Sequence, residues 1–133
     1  MSQENVEIVK AANIAFNAND IDAYVGFFAP NVEAYPDTGF PESRPLYDRN
    51  GFREFVEGFR APWTSDRFTV HEYRAIGPDR VLQRGEWSGV GGGSELEISA
   101  SYTLVYTIRD GQITKLEFFS HHDEALKAVG LEE

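Results

Sequence analysis

The chain has 133 residues, with 12 basic and 22 acidic side chains for a formal net charge of -10, and 41% of its residues are hydrophobic. These totals predict one soluble globular domain that removes roughly two-thirds of its unfolded surface from water and is too short for two full domains. With no cysteine there is no disulfide, thiolate metal site or cysteine nucleophile, and the acidic balance lacks the basic patch that nucleic acids and anionic membranes require.

A cytoplasmic location is expected from the missing cysteines and from the first ten residues. Glu4, Glu7 and Lys10 are mixed there with valines, where a signal peptide has a basic start and an unbroken apolar run. No stretch approaches the roughly 20 apolar residues of a membrane span. Ten Phe, six Tyr and two Trp make up 14% of the chain, an aromatic load that must be buried, paired across an interface or set around a cavity.

Val6, Val9, Ala12 and Phe16 recur at helical spacing behind Ser2 as N-cap and predict a helix over residues 3–18. Asp20 caps a second short helix carrying Tyr24, Phe27 and Phe28, which Pro30 stops. Val32 to Tyr35 reads as a short strand. The stretch to Tyr47 holds Pro36, Pro41 and Pro45 and reads as a loop. Asp48 then caps a third helix, whose Phe52, Phe55, Val56 and Phe59 share one face, and Pro62 ends it.

From Arg67 the period changes to two, with strands over 67–76 and 80–88 joined at Gly77-Pro78-Asp79. The glycines from Gly89 to Gly93 read as a mobile connection and, without a following Lys-Ser or Lys-Thr, do not form a phosphate loop. In the long strand that follows, Leu96, Ile98, Ala100, Tyr102, Leu104, Tyr106 and Ile108 form an apolar face. Val105 is the exception on the polar face. Asp110-Gly111 signals a hairpin into a strand over 112–119. Ser120 to Asp123 resembles a capping box opening a short helix that Gly130 terminates. The order predicts an α+β domain, a cone-shaped curved antiparallel sheet wrapped around the N-terminal helices with a short C-terminal helix.

That order and several strings resemble the nuclear transport factor 2-like superfamily and, within it, SnoaL-like bacterial proteins. The strings are Met1 to Val9, Ala15-Phe16-Asn17-Ala18-Asn19-Asp20, Ile108-Arg109-Asp110-Gly111-Gln112-Ile113, and Glu124 to Leu131. The resemblance spans nearly the whole chain, implies a cystatin-like fold over a single domain of residues 1–133, and says little about activity. Limonene epoxide hydrolases of this superfamily use an Arg-x-Asp pair and a further Asp. Those positions align with Gly85, Trp87 and Phe118, so the resemblance implies no such hydrolase. Ketosteroid isomerases place a carboxylate base where Asp37 stands to within one residue. Their helix tyrosine is Phe16 here, and their strand acid falls near Thr103 beside Tyr102.

The same alignment turns His71, Gln83, Gly85, Trp87, Ala100, Tyr102, Leu104, Phe118 and Ser120 towards an interior cavity. Tyr35 and Trp63 complete the expected ligand-binding set. His71 is a proton-transfer candidate by its ordinary pKa near 6.5, although strand alternation sets it opposite Phe68 and Val70. Asp37 is a candidate base, although its setting in Tyr35-Pro36-Asp37-Thr38-Gly39 favours an ordinary turn former. Tyr102 is the candidate donor to a developing oxyanion. His121-His122-Asp123 does not read as a metal site, because adjacent side chains diverge.

Two functions remain open. One is a cofactor-free isomerase, cyclase or dehydratase acting on a small apolar molecule through Asp37, His71 and Tyr102. The other is a binding or assembly domain. The superfamily commonly dimerises sheet to sheet, which implies a homodimer through the outer face that carries Glu86, Glu97, Glu117 and Phe119.

Overall fold

A computed structural model describes residues 2–36, 45–93 and 96–131, and Asp37, the Ser2 side chain and the loop to Arg44 lie outside the described residues. The elements run α1 (Ser2–Asn17), α2 (Ile21–Gly26), β1 (Phe28–Tyr35), α3 (Arg49–Arg60), β2 (Trp63–Ile76), β3 (Arg80–Gly91), β4 (Glu97–Arg109), β5 (Gln112–Phe119) and α4 (His122–Ala128). The strands form one curved sheet in the order β1-β5-β4-β3-β2. No helix among the described residues is long and apolar enough to cross a membrane.

The predicted caps form. Asp20 accepts from the Ala23 amide at 3.1 Å and Asp48 from that of Gly51 at 2.6 Å, each satisfying a donor that the first helical turn leaves unpaired. Asp110 and Gly111 both have positive φ, 52° and 78°, the conformation a two-residue hairpin needs to match strand twist. Gly130, at φ 80°, ends α4 in the left-handed region, and the Leu131 amide closes back on the Leu126 carbonyl at 2.7 Å.

Other expectations are corrected. The second helix stops at Gly26, and Phe28 opens β1 because it is fully buried against Tyr24 and Phe52 and pairs with Ile113. Pro30 therefore lies inside a strand, which is tolerated because β1 is a sheet edge. The sheet is not wholly antiparallel, since β1 runs parallel to β5 through Glu33↔Lys115 and Tyr35↔Glu117. The helix after Ser120 has His121 as N-cap with no side-chain cap bond, so the expected capping box is not what starts it. The glycine segment extends β3 as far as Gly91. At Gly89 a Cβ would lie 2.7 Å from the Trp87 ring and 3.0 Å from that of Trp63, so this glycine permits close packing.

Two cores lie on opposite faces of the sheet. The larger packs Val9, Ala12, Val25, Phe52 and Val56 of the helices against Phe68, Val81, Trp87, Leu104 and Tyr106. The smaller joins Ile76, Leu82 and Val105 to Leu126 and Val129 of α4, with Phe119 half-covered beside them. This accounts for Val105, which faces away from the main core because α4 covers it. Within β2, Val70 pairs with Gly85 and Glu72 with Arg84, so His71 is the extra residue of a bulge. The bulge reverses the alternation, leaving Phe68 in the inner core and Ile76 in the outer one. On β4, Leu96 and Ile98 are exposed, and the inner face is covered only further along the strand.

Leu82 is fully buried under α4. Replacing it with alanine is expected to cost about 2 to 5 kcal/mol in urea unfolding without changing the inner cavity.

Candidate functional site

A cavity of about 60 Å³ lies between the helices and the inner sheet face. Asn13 and Phe16 of α1, Tyr24 of α2, and Phe55, Val56 and Phe59 of α3 form its helical wall. Phe68, Gln83, Trp87, Tyr102, Leu104, Tyr106 and Phe118 form the sheet wall. The β3–β4 register places them together, with Gln83 opposite Leu104 and Trp87 opposite Ala100. The α3 stripe that packs Phe52 and Val56 into the core also points Phe55 and Phe59 at the cavity. Phe59 meets Trp87 edge-on at 5.3 Å, and Phe55 meets Phe118 at 6.1 Å.

Behind this wall is a buried ion pair. Arg60 reaches Asp66 at 2.9 Å, with only 10% and 5% of the two side chains exposed. The Trp87 Nε1–H donates to Asp66 Oδ2 at 3.1 Å, and Arg60 Nη1 donates to the Phe16 carbonyl at 2.6 Å. The guanidinium also stacks 4.1 Å from the centre of the Phe16 ring. Helix α1, the start of β2 and the Trp87 ring are thus tied to a single charge pair. Asn17 adds a second tie between α1 and β2, donating to the Phe68 carbonyl at 2.9 Å and accepting from its amide at 2.8 Å.

The ionisable groups in the described lining are the phenols of Tyr24, Tyr102 and Tyr106. Burial pushes Tyr24 and Tyr106 well above the usual phenol value, so both stay neutral donors at physiological pH. Gln83, 1% exposed, bonds to the Tyr106 phenol, while its Oε1 has no hydrogen-bond partner among the described residues.

A family model described as SnoaL-like domain matches residues 9–116. The chain belongs to this SnoaL-like family. Among solved structures it is similar to TerC co-crystallized with polyporic acid, with TM-score 0.78, 20% identity and coverage of 96% of this chain and 98% of that one. An NTF2-like protein from Burkholderia thailandensis matches with TM-score 0.76 and 21% identity over 86% of this chain and 88% of its own. A protein with ketosteroid isomerase-like fold from Catenulispora acidiphila, in complex with trimethylamine, matches with TM-score 0.75 and 18% identity over 94% and 93%. At these identities the likenesses show the fold. No curated protein matches the chain.

Within this SnoaL-like domain, Gln83, Trp87, Tyr102, Leu104 and Phe118 line the cavity. Trp63 stands behind the wall, edge-on to Trp87 at 4.7 Å. Ala100 is half-buried opposite Trp87 and outside the lining. Tyr35 lies on the edge strand, where a hydrogen bond to Glu33, with smaller contributions from burial and nearby charges, pushes its phenol up to about 12.

Gly85 leaves no room for any side chain, since a Cβ there would overlap the Thr69 carbonyl and the Phe68 ring. His71 is exposed and lines a different groove with Glu72, Arg84, Gly85, Ser101, Thr103, Ser120, His122 and also Tyr102, which borders both spaces. The bulge and strand alternation put it there, so the structure does not bring His71 and Tyr102 together on the inner cavity. Asp37 lies outside the described residues. Among those residues no group of three or more His, Asp or Glu side chains gathers as metal ligands would. His122 instead bonds to Thr103 at 3.0 Å.

Sequence reading left Asn13, Phe16, Tyr24, Phe55, Val56, Phe59, Phe68 and Tyr106 out of the expected lining and missed the Arg60–Asp66 pair altogether. The aromatic stripe of α3 was the available signal for Phe55 and Phe59. Arg60 and Asp66 are separated by a helix end and a strand start and carry no local signature.

Asp66→Ala leaves Arg60 buried without its counter-charge and is expected to cost about 3 to 5 kcal/mol in chemical unfolding. Arg60→Met with Asp66→Leu should cost less than that single change, and tryptophan fluorescence should shift in both variants. The buried phenols predict an alkaline limb to stability. The unfolded chain releases these protons near pH 10 while the fold keeps them, so the stabilisation is complete below about pH 10 and is lost as pH rises through the folded values. Unfolding free energy measured across that range should fall with pH, and less steeply in Tyr106→Phe.

Proposed function

We propose that this SnoaL-like domain binds a small neutral ring-bearing molecule in the inner cavity. The observation that carries the reading is the lining: aromatic side chains from all three N-terminal helices and four strands surround an apolar space with one unsatisfied amide oxygen. Rings gain from burial against rings, whereas a charged ligand would lose its hydration with no free counter-charge among the described lining residues, Asp66 behind them being already paired with Arg60. TerC, which was co-crystallized with polyporic acid, supports a small-molecule ligand by analogy. The cavity, at about 60 Å³, is smaller than the roughly 300 to 1,000 Å³ of sites for drug-sized ligands, so a ring enters only as the half-buried Phe55, Phe59 and Phe118 give way.

Turnover, in this proposal, is cofactor-free proton transfer leading to isomerisation, aldol-type cyclisation or dehydration. Neither carboxylate nor imidazole is present in the described lining, and His71 stands in the outer groove. In this proposal the base is Asp37, which stands where the resemblance to ketosteroid isomerases sets a carboxylate, with Tyr102 donating to the substrate oxygen. Without Asp37 at the cavity, the domain binds and does not turn over. The protein acts as a homodimer through the outer sheet face, which sedimentation equilibrium tests directly.

Calorimetric titration with phenol and cyclohexenone tests binding. Leu104→Trp, which fills the cavity, should weaken both by about tenfold or more, equivalent to about 1.4 kcal/mol, while His71→Ala leaves them unchanged. Absence of binding by either compound would overturn the reading. Asp37→Asn is expected to lower enone turnover by about 10² to 10⁴-fold with affinity little changed; equal turnover would remove Asp37 as the base.

A further inference from the structure

Gln83 is the polar residue that the cavity leaves incomplete. It lies on β3, is 1% exposed and belongs to the lining. One end of its amide bonds to the Tyr106 phenol, and Oε1 has no partner among the described residues. Buried amide oxygens are nearly always paired, so an orphan acceptor inside an aromatic wall calls for a cause. Volume does not supply one, since methionine would fill the same space with no polar atom to satisfy. Two donors of the lining are engaged elsewhere, the Trp87 indole on Asp66 and the Asn13 amide on the Phe68 carbonyl, at 3.1 Å and 3.3 Å, and none of the lining phenols bonds to Oε1.

We infer that Gln83 Oε1 accepts a hydrogen bond from the ligand, so that the cavity selects a neutral hydroxylated ring over a hydrocarbon of the same shape. This deepens the ligand-binding reading and rests on it. The donor is uncharged, because an ammonium group would meet the Arg60 guanidinium, which already stacks on the cavity-lining Phe16 ring. The selectivity comes from the asymmetry of buried hydrogen bonds. A hydroxyl entering an apolar cavity with no acceptor forfeits its bond to water, so toluene would outcompete phenol there. With Oε1 waiting, phenol exchanges one bond for another and also relieves the orphan, and the order reverses.

The test is calorimetric titration of phenol and of toluene into the full chain and into Gln83→Met. The wild-type protein is expected to bind phenol about tenfold tighter than toluene, and Gln83→Met to bind toluene at least as tightly as phenol. Toluene matching or exceeding phenol in the wild type, or an unchanged phenol preference in Gln83→Met, overturns the inference while the cavity stands as a binding site. Failure of both probes to bind the wild type overturns the binding reading itself, and the role of Gln83 with it. Should Gln83→Met not fold, the wild-type ratio and a crystal structure with phenol decide: a hydroxyl within hydrogen-bond distance of Gln83 Oε1 supports the inference, and one bonded elsewhere ends it.

Discussion

The register between β3 and β4 is the constraint on which the rest of this molecule depends. Pairing Val81 with Tyr106, Gln83 with Leu104, Gly85 with Tyr102 and Trp87 with Ala100 sends one set of side chains towards the N-terminal helices. The alternate set, Leu82, Thr103 and Val105, goes to the opposite face, where α4 covers it. A slip of one residue would exchange the two sets, sending Gln83 and Trp87 under α4 and leaving Leu82 in the cavity wall. Because each face has its own apolar layer, neither can be satisfied in the wrong register. The bulge at His71 lets β2 serve both layers, Phe68 the inner and Ile76 the outer.

The Arg60–Asp66 pair then turns this packing into a shaped wall. Trp87 is held from three sides: by its bond to Asp66, by the edge of Trp63 and by Phe59. Buried charge is a poor source of net stability, since the desolvation of both ions offsets most of their attraction. Its value here lies in geometry, because a large ring beside an incompletely filled space would otherwise have several ways to pack. Gly85 belongs to the same economy of space. With no side chain of its own, it admits the Phe68 ring against the sheet.

The result is an apolar cavity whose polar atoms are almost all committed within the protein. Its polar groups are phenols held neutral by burial, an indole bonded to a carboxylate and an amide whose oxygen has no partner among the described residues. That chemistry separates the cavity from the outer groove, where His71, Arg84 and His122 face water among hydroxyls and a glutamate. The SnoaL-like fold supplies the container, and the side chains decide what it holds.

Much of the fold was legible in the sequence because its signals are local. Asp20 and Asp48 cap the helices they precede, Asp110-Gly111 adopts the turn its side chains favour, and the alternation of Tyr102, Leu104 and Tyr106 names the inner face of β4. The sequence by itself thus determined helix starts, the Asp110-Gly111 hairpin and the inner face of β4, while the other lining residues were expected only from the family alignment. Only the tertiary structure decided what depends on partners distant along the chain. The parallel pairing of β1 with β5 pulled Phe28 out of a helix, and α4 arriving on the outer face explained Val105. One extra residue in β2 turned His71 to the other groove, and a salt bridge across the end of α3 fixed Trp87. Periodicity records which face of an element is apolar, and only the assembled chain shows what each face meets.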